Sequence, residues 1–411
     1  MKTAGEIAMS VTNLETNLTS TIVSPINGDI AASLSNSTVD ALVSQYGTPL
    51  MVLDCDVVRH QYRALQDALP NVELHYALKP LPHPAVVKTL LAEGAYFDLA
   101  TNGEVDLVQS VGVPSERTIQ THPIKRDSDI QHALRYGCNV FVVDNANELE
   151  KFIPYKDQVE LLLRVSFPNA DVLADLSKKF GCKPEQALEL INYAFELGIR
   201  IKGLSFHVGS QTRSGEKYSL AILRCNEIMK QVTDAGLPAL STLDIGGGFP
   251  VHYTPDVLPI NVFCAPIRDA LALLPETVRV IAEPGRFLVA PSVTNIAAVM
   301  GQAERNGQTW YYLDDGIYGS FSGLMFDEAK YQTKSLIQSD DVYSSVLAGP
   351  TCDSIDVITD NIMLPKLNNG DLIVSTMMGA YCSCTATDFN FFKKAEVIVV
   401  GEDTMFASIS A

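Results

Sequence analysis

One lysine stands at a position where an amine could do covalent chemistry. Lys79 closes the apolar segment His75-Tyr76-Ala77-Leu78-Lys79, which predicts a short buried strand, and a proline follows immediately as Pro80. An amine held at a strand end, away from bulk water, can lose its proton and attack a carbonyl to form a Schiff base. A surface lysine at a strand end would be the ordinary explanation if Lys79 stood alone.

Four further motifs follow Lys79, and each carries different chemistry. They are residues 205–210 with a histidine, 243–248 with three glycines, 282–286 with a carboxylate and an arginine, and 349–353 with a thiol beside a carboxylate. Together with the amine, which can form a Schiff base, they supply an aromatic ring that can stack on a cofactor, backbone N–H groups that can bind a phosphate, and acid–base groups. Pyridoxal 5'-phosphate (PLP) requires most of these groups from the protein that holds it.

The spacing of short apolar runs predicts the scaffold that positions these groups. The runs are 75–79, 96–100, 118–122, 140–144, 160–165, 203–208, 242–245 and 278–283, with helix-compatible stretches between them. Eight strand–helix units predict an α/β fold with a closed (β/α)8 TIM barrel, and an open doubly wound sheet is the alternative. The candidate groups lie at the C-terminal ends of the runs, the face that carries the active site in such barrels.

The segments outside the barrel predict a second, all-β domain. A strand is expected at 49–54 and further strands at 287–299, 309–313, 342–348, 371–376 and 395–400, all apolar runs separated by turn residues. We therefore expect a mobile tail over 1–36, a segment 37–58 that contributes a strand to the β domain, the PLP-binding barrel over 59–287 and the C-terminal β domain over 288–411.

The composition of the chain restricts the classes of molecule that it is expected to bind. The 411 residues carry a net charge of −18, which argues against nucleic acid and anionic membranes and would attract a small cationic substrate. The eight cysteines form no Cys-x-x-Cys pair, and the histidines show no metal-ligand spacing around them, so we expect no metal and reduced thiols in the cytoplasm. The first 36 residues contain no apolar run long enough for a signal peptide or a membrane span.

Seven motifs together resemble one enzyme family. Residues 76–79, 97–100, 205–210, 244–250, 282–286, 315–321 and 349–353 are similar, in order, to the ornithine decarboxylase branch of the fold-type III, or alanine-racemase-fold, PLP enzymes. The resemblance covers about residues 45–400 and is strongest to bacterial lysine/ornithine decarboxylases. It implies PLP-dependent decarboxylation of L-ornithine or L-lysine to putrescine or cadaverine in polyamine biosynthesis.

The resemblance also implies a set of cofactor-binding residues. Lys79 would hold PLP as a Schiff base, Glu283 would pair with the pyridine nitrogen, and His207 would stack on the ring. The phosphate group would be bound by Gly246, Gly247, Gly248, Ser210, Arg286 and Tyr381, while Gly285 belongs to the cofactor motif and Asp98, Glu104 and Arg164 support the lysine and the histidine. Taken alone, the glycines could form a plain turn and His207 could be a core histidine.

Substrate-binding residues are implied by matches near the end of the chain. Asp327 and Asp353 would hold the distal ammonium, Cys352 would protonate Cα, and Tyr318 and Phe389 would line the pocket. An inert buried cysteine is the alternative for Cys352. In the family, the strand that bears Cys352 reaches the neighbouring subunit, so the resemblance implies a homodimer with shared active sites.

Several related activities compete with this interpretation. A diaminopimelate decarboxylase would usually place an arginine in the substrate-length segment 166–179 and Cys-Glu at 352–353, and neither is present. Arginine decarboxylases of this fold are expected to be longer. A decarboxylase of a siderophore-pathway ornithine derivative and a non-catalytic regulatory protein of the same fold remain open. Segments 80–81 and 121–123 depart from the family pattern, which affects hydrogen bonds near the lysine more than the reaction class.

Overall fold

A computed structural model describes residues 34–168, 178–326 and 329–401. The chain divides into two compact units. The barrel unit comprises His60–Val251 and Asp256–Leu288, and the β unit comprises the described parts of Met1–Arg59 and Val289–Ala411 together with His252–Pro255. The predicted mobile tail falls, up to residue 33, outside the described residues. The described chain begins with α1 (Asn36–Tyr46), β1 (Leu50–Asp54) and α2 (Cys55–Ala68).

Eight parallel strands form a closed barrel, as the sequence predicts. They are β2 (Glu73–Ala77), β3 (Tyr96–Leu99), β4 (Thr118–Gln120), β5 (Val140–Val143), β6 (Glu160–Arg164), β7 (Ile201–Ser205), β8 (Thr242–Asp244) and β9 (Arg279–Ala282). Each strand pairs with the next, and β9 closes on β2 through Glu73 and Leu74. The strands end one to three residues before the predicted ends, so the candidate chemical groups sit mostly in the turns beyond them.

Helices follow the barrel strands, as expected from the strand–helix period. They are α3 (Pro84–Ala92), α4 (Asn102–Val111), α5 (Asp127–Tyr136), α6 (Ala146–Lys151), α7 (Ala187–Glu196), α8 (Glu216–Asp234), α9 (Ile260–Phe263), α10 (Ala265–Leu271) and α11 (Arg286–Val289). Side chains fix several of their first turns, since Thr101 accepts a hydrogen bond from the Glu104 N–H and Asn145 from the Glu148 N–H. No helix within the described ranges has the length and apolarity needed to cross a membrane.

The β unit is built on one large sheet. Its strands are β10 (Val293–Arg305), β11 (Gln308–Leu313), β12 (Gln332–Ser335), β13 (Tyr343–Ala348), β14 (Val357–Leu364), β15 (Leu372–Thr376) and β16 (Glu396–Val400), with the short helix α12 (Gly323–Phe326). The order is β12-β15-β10-β11-β13-β14, and β1 pairs with both β10 and β16. The predicted contribution of the pre-barrel strand to an all-β domain is confirmed.

Two parts of the β unit differ from the sequence-based expectation. The run 287–299 does not form one strand, because α11 and a 3-10 turn at Ala290–Ser292 come first; Pro291 has no N–H to offer a sheet. Strands β12 and β14 were not predicted. Both end the main strand order, and nearly all of their residues are partly or fully exposed, so they lack a continuous apolar run of the kind by which buried strands are recognised.

A buried histidine lies inside the barrel wall near the N-terminal ends of the strands. His75 is fully buried in β2, its ring stacks on Tyr96 at 4.8 Å, and neither ring nitrogen makes a hydrogen bond of good geometry within the described residues. Burial, aided by the charge of Arg279, lowers the pKa of His75 to about 3. The native protein therefore holds this imidazole neutral.

We predict that this histidine weakens the barrel under acidic conditions. Between about pH 6.5 and pH 3 the unfolded chain binds a proton that the native protein excludes, so stability falls as pH falls through that window. Replacing His75 by Phe keeps the ring stack and should remove about 2 kcal/mol of the stability loss between about pH 7 and pH 5. Urea unfolding at both pH values tests this, with exposed His60→Gln as the control. An unchanged pH dependence in His75→Phe would contradict the prediction.

Candidate active site

The candidate amine faces a buried carboxylate. Lys79 lies in the turn just beyond β2, and its Nζ is 3.7 Å from Oδ2 of Asp98 in β3. The Lys79 side chain is 48% exposed, whereas Asp98 is 2% exposed. Thr121, the first residue beyond β4, donates its hydroxyl proton to the other carboxylate oxygen of Asp98. Glu104 lies nearby and accepts a hydrogen bond from the Ala100 N–H; burial and the charge of Asp98 raise its pKa.

His207 is held as a neutral ring in the turn after β7. Its Nδ1 accepts a hydrogen bond from the Gly209 N–H at 2.9 Å, so the single proton of the neutral ring belongs on Nε2. Burial lowers the pKa of His207 well below its usual range, and the charges of Arg164 and Lys79 act in the same direction. Arg164 ends β6 and places its guanidinium 5.4 Å from the centre of the Phe180 ring.

The three glycines after β8 are required by close backbone contacts. A Cβ on Gly247 would lie 2.5 Å from the Glu283 carbonyl oxygen, and a Cβ on Gly246 or Gly248 would overlap another backbone carbonyl. Gly246 and Gly248 also have positive φ values of 68° and 108°. Buried Tyr218 supports this loop by donating a 2.7 Å hydrogen bond to the Gly247 carbonyl oxygen. The sequence analysis missed Tyr218, which the pattern of α8 marks only as a core residue.

A guanidinium and a hydroxyl lie next to this loop. Arg286, 6% exposed at the start of α11, has its Nη2 3.3 Å from Oγ of Ser210, and the Gly209 carbonyl just before Ser210 packs against Gly248. Gly285 brings the chain close to the lysine turn, because a Cβ there would be 2.8 Å from Cγ of Pro80. A cation, a hydroxyl and a loop that admits only glycine together form a site suited to a phosphate group.

Two buried carboxylates complete the barrel part of the site. Burial and the charges of Asp244 and Asp98 raise the pKa of Glu283 well above its usual range. Burial likewise raises the pKa of Asp244 to about 6, although its Oδ1 accepts the Gly246 N–H at 2.9 Å. Within the described residues, Oε1 of Glu283 is buried and has no hydrogen-bond partner. Asp244 received no role from the sequence; its position at the strand end, two residues before the first glycine, was the available signal.

The β unit carries a separate cluster of predicted residues. Tyr318 donates a 2.5 Å hydrogen bond to Oδ2 of Asp353, which lowers the pKa of that carboxyl, and the Tyr318 and Phe389 rings stack at 4.4 Å. The backbone N–H of exposed Cys352 donates to the side chain of Asn390, the neighbour of Phe389. Four predicted residues are thus brought together: Cys352, Asp353, Tyr318 and Phe389.

Tyr381 and Asp327 are the remaining predicted site residues of the β unit. Tyr381 has a positive φ of 59°, and its carbonyl oxygen accepts the Thr385 hydroxyl at 2.8 Å. Asp327 and most of the segment 166–179, namely 169–177, lie outside the described residues. The sequence analysis missed Asp356, whose buried carboxylate accepts the N–H groups of Ile317 and Thr351 and so ties together the loops that carry Tyr318 and Asp353.

A barrel that presents an amine, buried acids and an anion cradle at the C-terminal ends of its strands has the arrangement of a barrel-type PLP enzyme. Residues 55–290 match the family described as pyridoxal-dependent decarboxylase, pyridoxal binding domain, and the chain belongs to this family. PLP is therefore its cofactor. The lysine/ornithine decarboxylase of Selenomonas ruminantium is 34% identical over 380 residues, which cover 91% of this chain and 95% of the relative.

Solved structures of decarboxylases are also similar to this chain. The lysine/ornithine decarboxylase of Vibrio vulnificus, crystallised with putrescine and separately with cadaverine, is 66% identical, with a TM-score of 0.86 over 90% of this chain and 100% of that one. The arginine decarboxylase of Paramecium bursaria Chlorella virus is 30% identical, with a TM-score of 0.84 over 89% of this chain and 100% of that one. Arginine decarboxylases of this fold are expected to be longer, but this viral enzyme aligns over its whole length with part of the present chain, so length alone does not distinguish the two activities.

The described residues fit PLP on observations of this structure. The buried Oε1 of Glu283, which has no hydrogen-bond partner among the described residues, would accept a hydrogen bond from a protonated pyridine nitrogen. The glycine loop with Arg286 and Ser210 would bind the phosphate. The amine of Lys79, beside Asp98, is the group that would bond the aldehyde carbon. Groups of His, Cys, Asp or Glu suited to a metal ion are absent from the part of the chain that is described.

We predict that adding one methyl group to the glycine loop prevents tight cofactor binding. In Gly247→Ala the new Cβ would meet the Glu283 carbonyl at 2.5 Å, so the loop must move away from its present position. PLP affinity should fall by about tenfold or more, which an absorbance titration measures. Gly103→Ala is the control, because its Cβ would have no neighbour closer than 4.0 Å. Unchanged PLP affinity in Gly247→Ala would show that the loop does not bind the phosphate.

Proposed function

We propose that this chain is a PLP-dependent decarboxylase that converts L-ornithine and L-lysine to putrescine and cadaverine, a reaction of polyamine biosynthesis. The observation that carries the proposal is the pairing of two complementary features in the barrel unit. Lys79 provides an amine beside a buried carboxylate, and Glu283 provides a buried acid with an unsatisfied oxygen. The similarity to lysine/ornithine decarboxylases supports the choice of reaction.

The roles proposed for the barrel residues follow from their chemistry. When bound, PLP supplies an electron sink that stabilises the charge left on Cα as carbon dioxide departs. Glu283 holds a proton at the pyridine nitrogen, and neutral His207 covers the ring without adding a competing charge. Arg286, Ser210 and the glycine loop orient the cofactor through its phosphate. Asp98 stabilises positive charge on the Lys79 nitrogen, and Arg164 and Gly285 support this arrangement.

The β unit is proposed to supply substrate recognition and the final proton. Asp353 and Asp327 bind the distal ammonium of the substrate, as two anions facing one cation. Cys352 donates a proton to Cα after decarboxylation, and Tyr318 and Phe389 line the aliphatic part of the pocket. Tyr381 contributes to phosphate binding. The contact from Tyr318 supports this role for Asp353, because the hydroxyl keeps the carboxylate ionised and fixes its orientation.

We further propose a homodimer in the cytoplasm whose subunits share active sites. The exposure of Cys352 and of aromatic residues nearby, such as Phe391 at 93%, supports a surface that meets a second copy. The eight cysteines, six of them buried, support a reducing compartment. The two compact units support the proposed division into a barrel over 59–287 and a β domain over 37–58 and 288–411.

The function is tested by carbon dioxide release from L-ornithine, L-lysine, L-arginine and diaminopimelate. We expect turnover of ornithine and lysine and none of diaminopimelate, because Lys79 provides the amine and the substrate pocket is acidic. Lys79→Ala should lose turnover and also the PLP that borohydride fixes to the chain. Lys88→Ala, at an exposed position in α3, is the matched control. A reducible PLP adduct retained in Lys79→Ala would overturn the assignment, and a preference for arginine would reassign the substrate.

The discrimination between ornithine and lysine should be small. The two substrates differ by one methylene, which a pocket distinguishes by about 10–200-fold, whereas an unpaired buried charge costs considerably more. Replacing Asp353 by Ala should therefore impair both activities together, with the exposed Asp360→Ala as control. Steady-state kinetics on both substrates provide the measurement. A preference above roughly a thousandfold would show that the segment 166–179 excludes one substrate by shape.

A further inference from the structure

Thr121 lies beside the carboxylate that faces the candidate amine. It is 7% exposed and follows β4 directly, in the segment 121–123 where the sequence departs from the family pattern. Its hydroxyl donates to Oδ1 of Asp98, while Oδ2 of the same carboxylate is 3.7 Å from Nζ of Lys79. One carboxylate thus connects the hydroxyl to the amine.

The hydroxyl is held in a rigid setting. The Thr121 N–H donates to the Leu99 carbonyl at 2.9 Å, which extends the pairing of β3 with β4 by one residue. Four residues later, buried Lys125 fixes the same loop. Its Nζ donates to three carbonyl oxygens, those of His122 at 2.7 Å, Pro123 at 3.1 Å and Val142 at 2.6 Å. Since Val142 belongs to β5, the loop that carries Thr121 is tied to the strands on both of its sides.

A fixed donor matters because Asp98 is buried. Burial alone favours the neutral form of a carboxyl group, and a hydrogen bond to one of its oxygens favours the ionised form. The same bond restricts rotation of the carboxylate, so that its second oxygen remains directed at Lys79. Without the hydroxyl, the Asp98 carboxylate is free to rotate, and its Oδ2 is no longer held toward the Lys79 nitrogen.

We propose that Thr121 is a positioning residue whose hydroxyl holds the Asp98 carboxylate in the orientation that directs Oδ2 at the Lys79 nitrogen, so that the carboxylate stabilises positive charge on that atom. The inference rests on the proposed function, since the Lys79 nitrogen is the atom that bonds PLP there. It extends that function to a side chain that acts on the amine through Asp98.

The first test compares PLP binding among three variants. Thr121→Val preserves shape and removes the hydroxyl, so PLP should bind about tenfold more weakly, and the visible band of the bound cofactor should titrate about one pH unit lower. Thr121→Ser restores the hydroxyl and should return both values to within about twofold of the parent. Thr242→Val is the matched control, because Thr242 is buried in β8 and its hydroxyl has no partner within the described residues.

A double-mutant cycle shows whether Thr121 acts through Asp98. In an Asp98→Asn background the charge is gone, so adding Thr121→Val should change PLP affinity by less than about twofold. A tenfold effect that persists in that background, or no effect in the parent, would overturn the proposal. Thermal unfolding identifies any variant that is not folded, and Thr121→Ala replaces Thr121→Val in the cycle if the latter is unfolded.

The same samples separate this proposal from the proposed function. A parent protein that binds PLP but releases no carbon dioxide from any of the four amino acids would overturn the decarboxylase assignment, while the cycle would still report on Thr121. A parent protein that binds no PLP would overturn both.

Discussion

The burial of three carboxylates at one end of the barrel is the constraint on which the site depends. Asp98, Asp244 and Glu283 are 2%, 0% and 9% exposed, and removing each from water disfavours its charge. Their mutual repulsion adds to this effect, which is why the pKa of Asp244 rises to about 6 and that of Glu283 rises further above its usual range. Such a cluster is stable only if donors and cations face it or if a proton is shared within it.

The surrounding residues provide donors or cations for some of these carboxylate oxygens. The Thr121 hydroxyl and the Lys79 ammonium face Asp98, and the Gly246 N–H faces Asp244, but Oε1 of Glu283 has no partner among the described residues. The glycine loop and Arg286, in contrast, favour the binding of an anion. A ligand with a cationic ring nitrogen and a phosphate matches both, and PLP is such a ligand. In the proposed function, Lys79 adds the covalent bond.

The sequence predicted the barrel and most of the proposed site, because both depend on local patterns. The strand–helix period is visible as alternating apolar runs, and Lys79, His207, Glu283 and Arg286 belong to short motifs just beyond strands. The sequence marked Thr121 only as part of a segment that departs from the family pattern, and it did not indicate Asp356. Their partners are distant in sequence, since Thr121 is 23 residues from Asp98 and Asp356 is 39 residues from Ile317. The edge strands β12 and β14 were missed because exposed strands need no apolar run.

The central claim is that a buried acid in the barrel controls the charge of the cofactor. Nitrogen NMR of the holoenzyme, prepared with PLP labelled at the ring nitrogen, measures this charge directly. The structure predicts a protonated ring nitrogen in the parent protein and an unprotonated one in Glu283→Gln, with Glu104→Gln retaining the parent signal. The same protonation state in the parent and in Glu283→Gln would contradict the account.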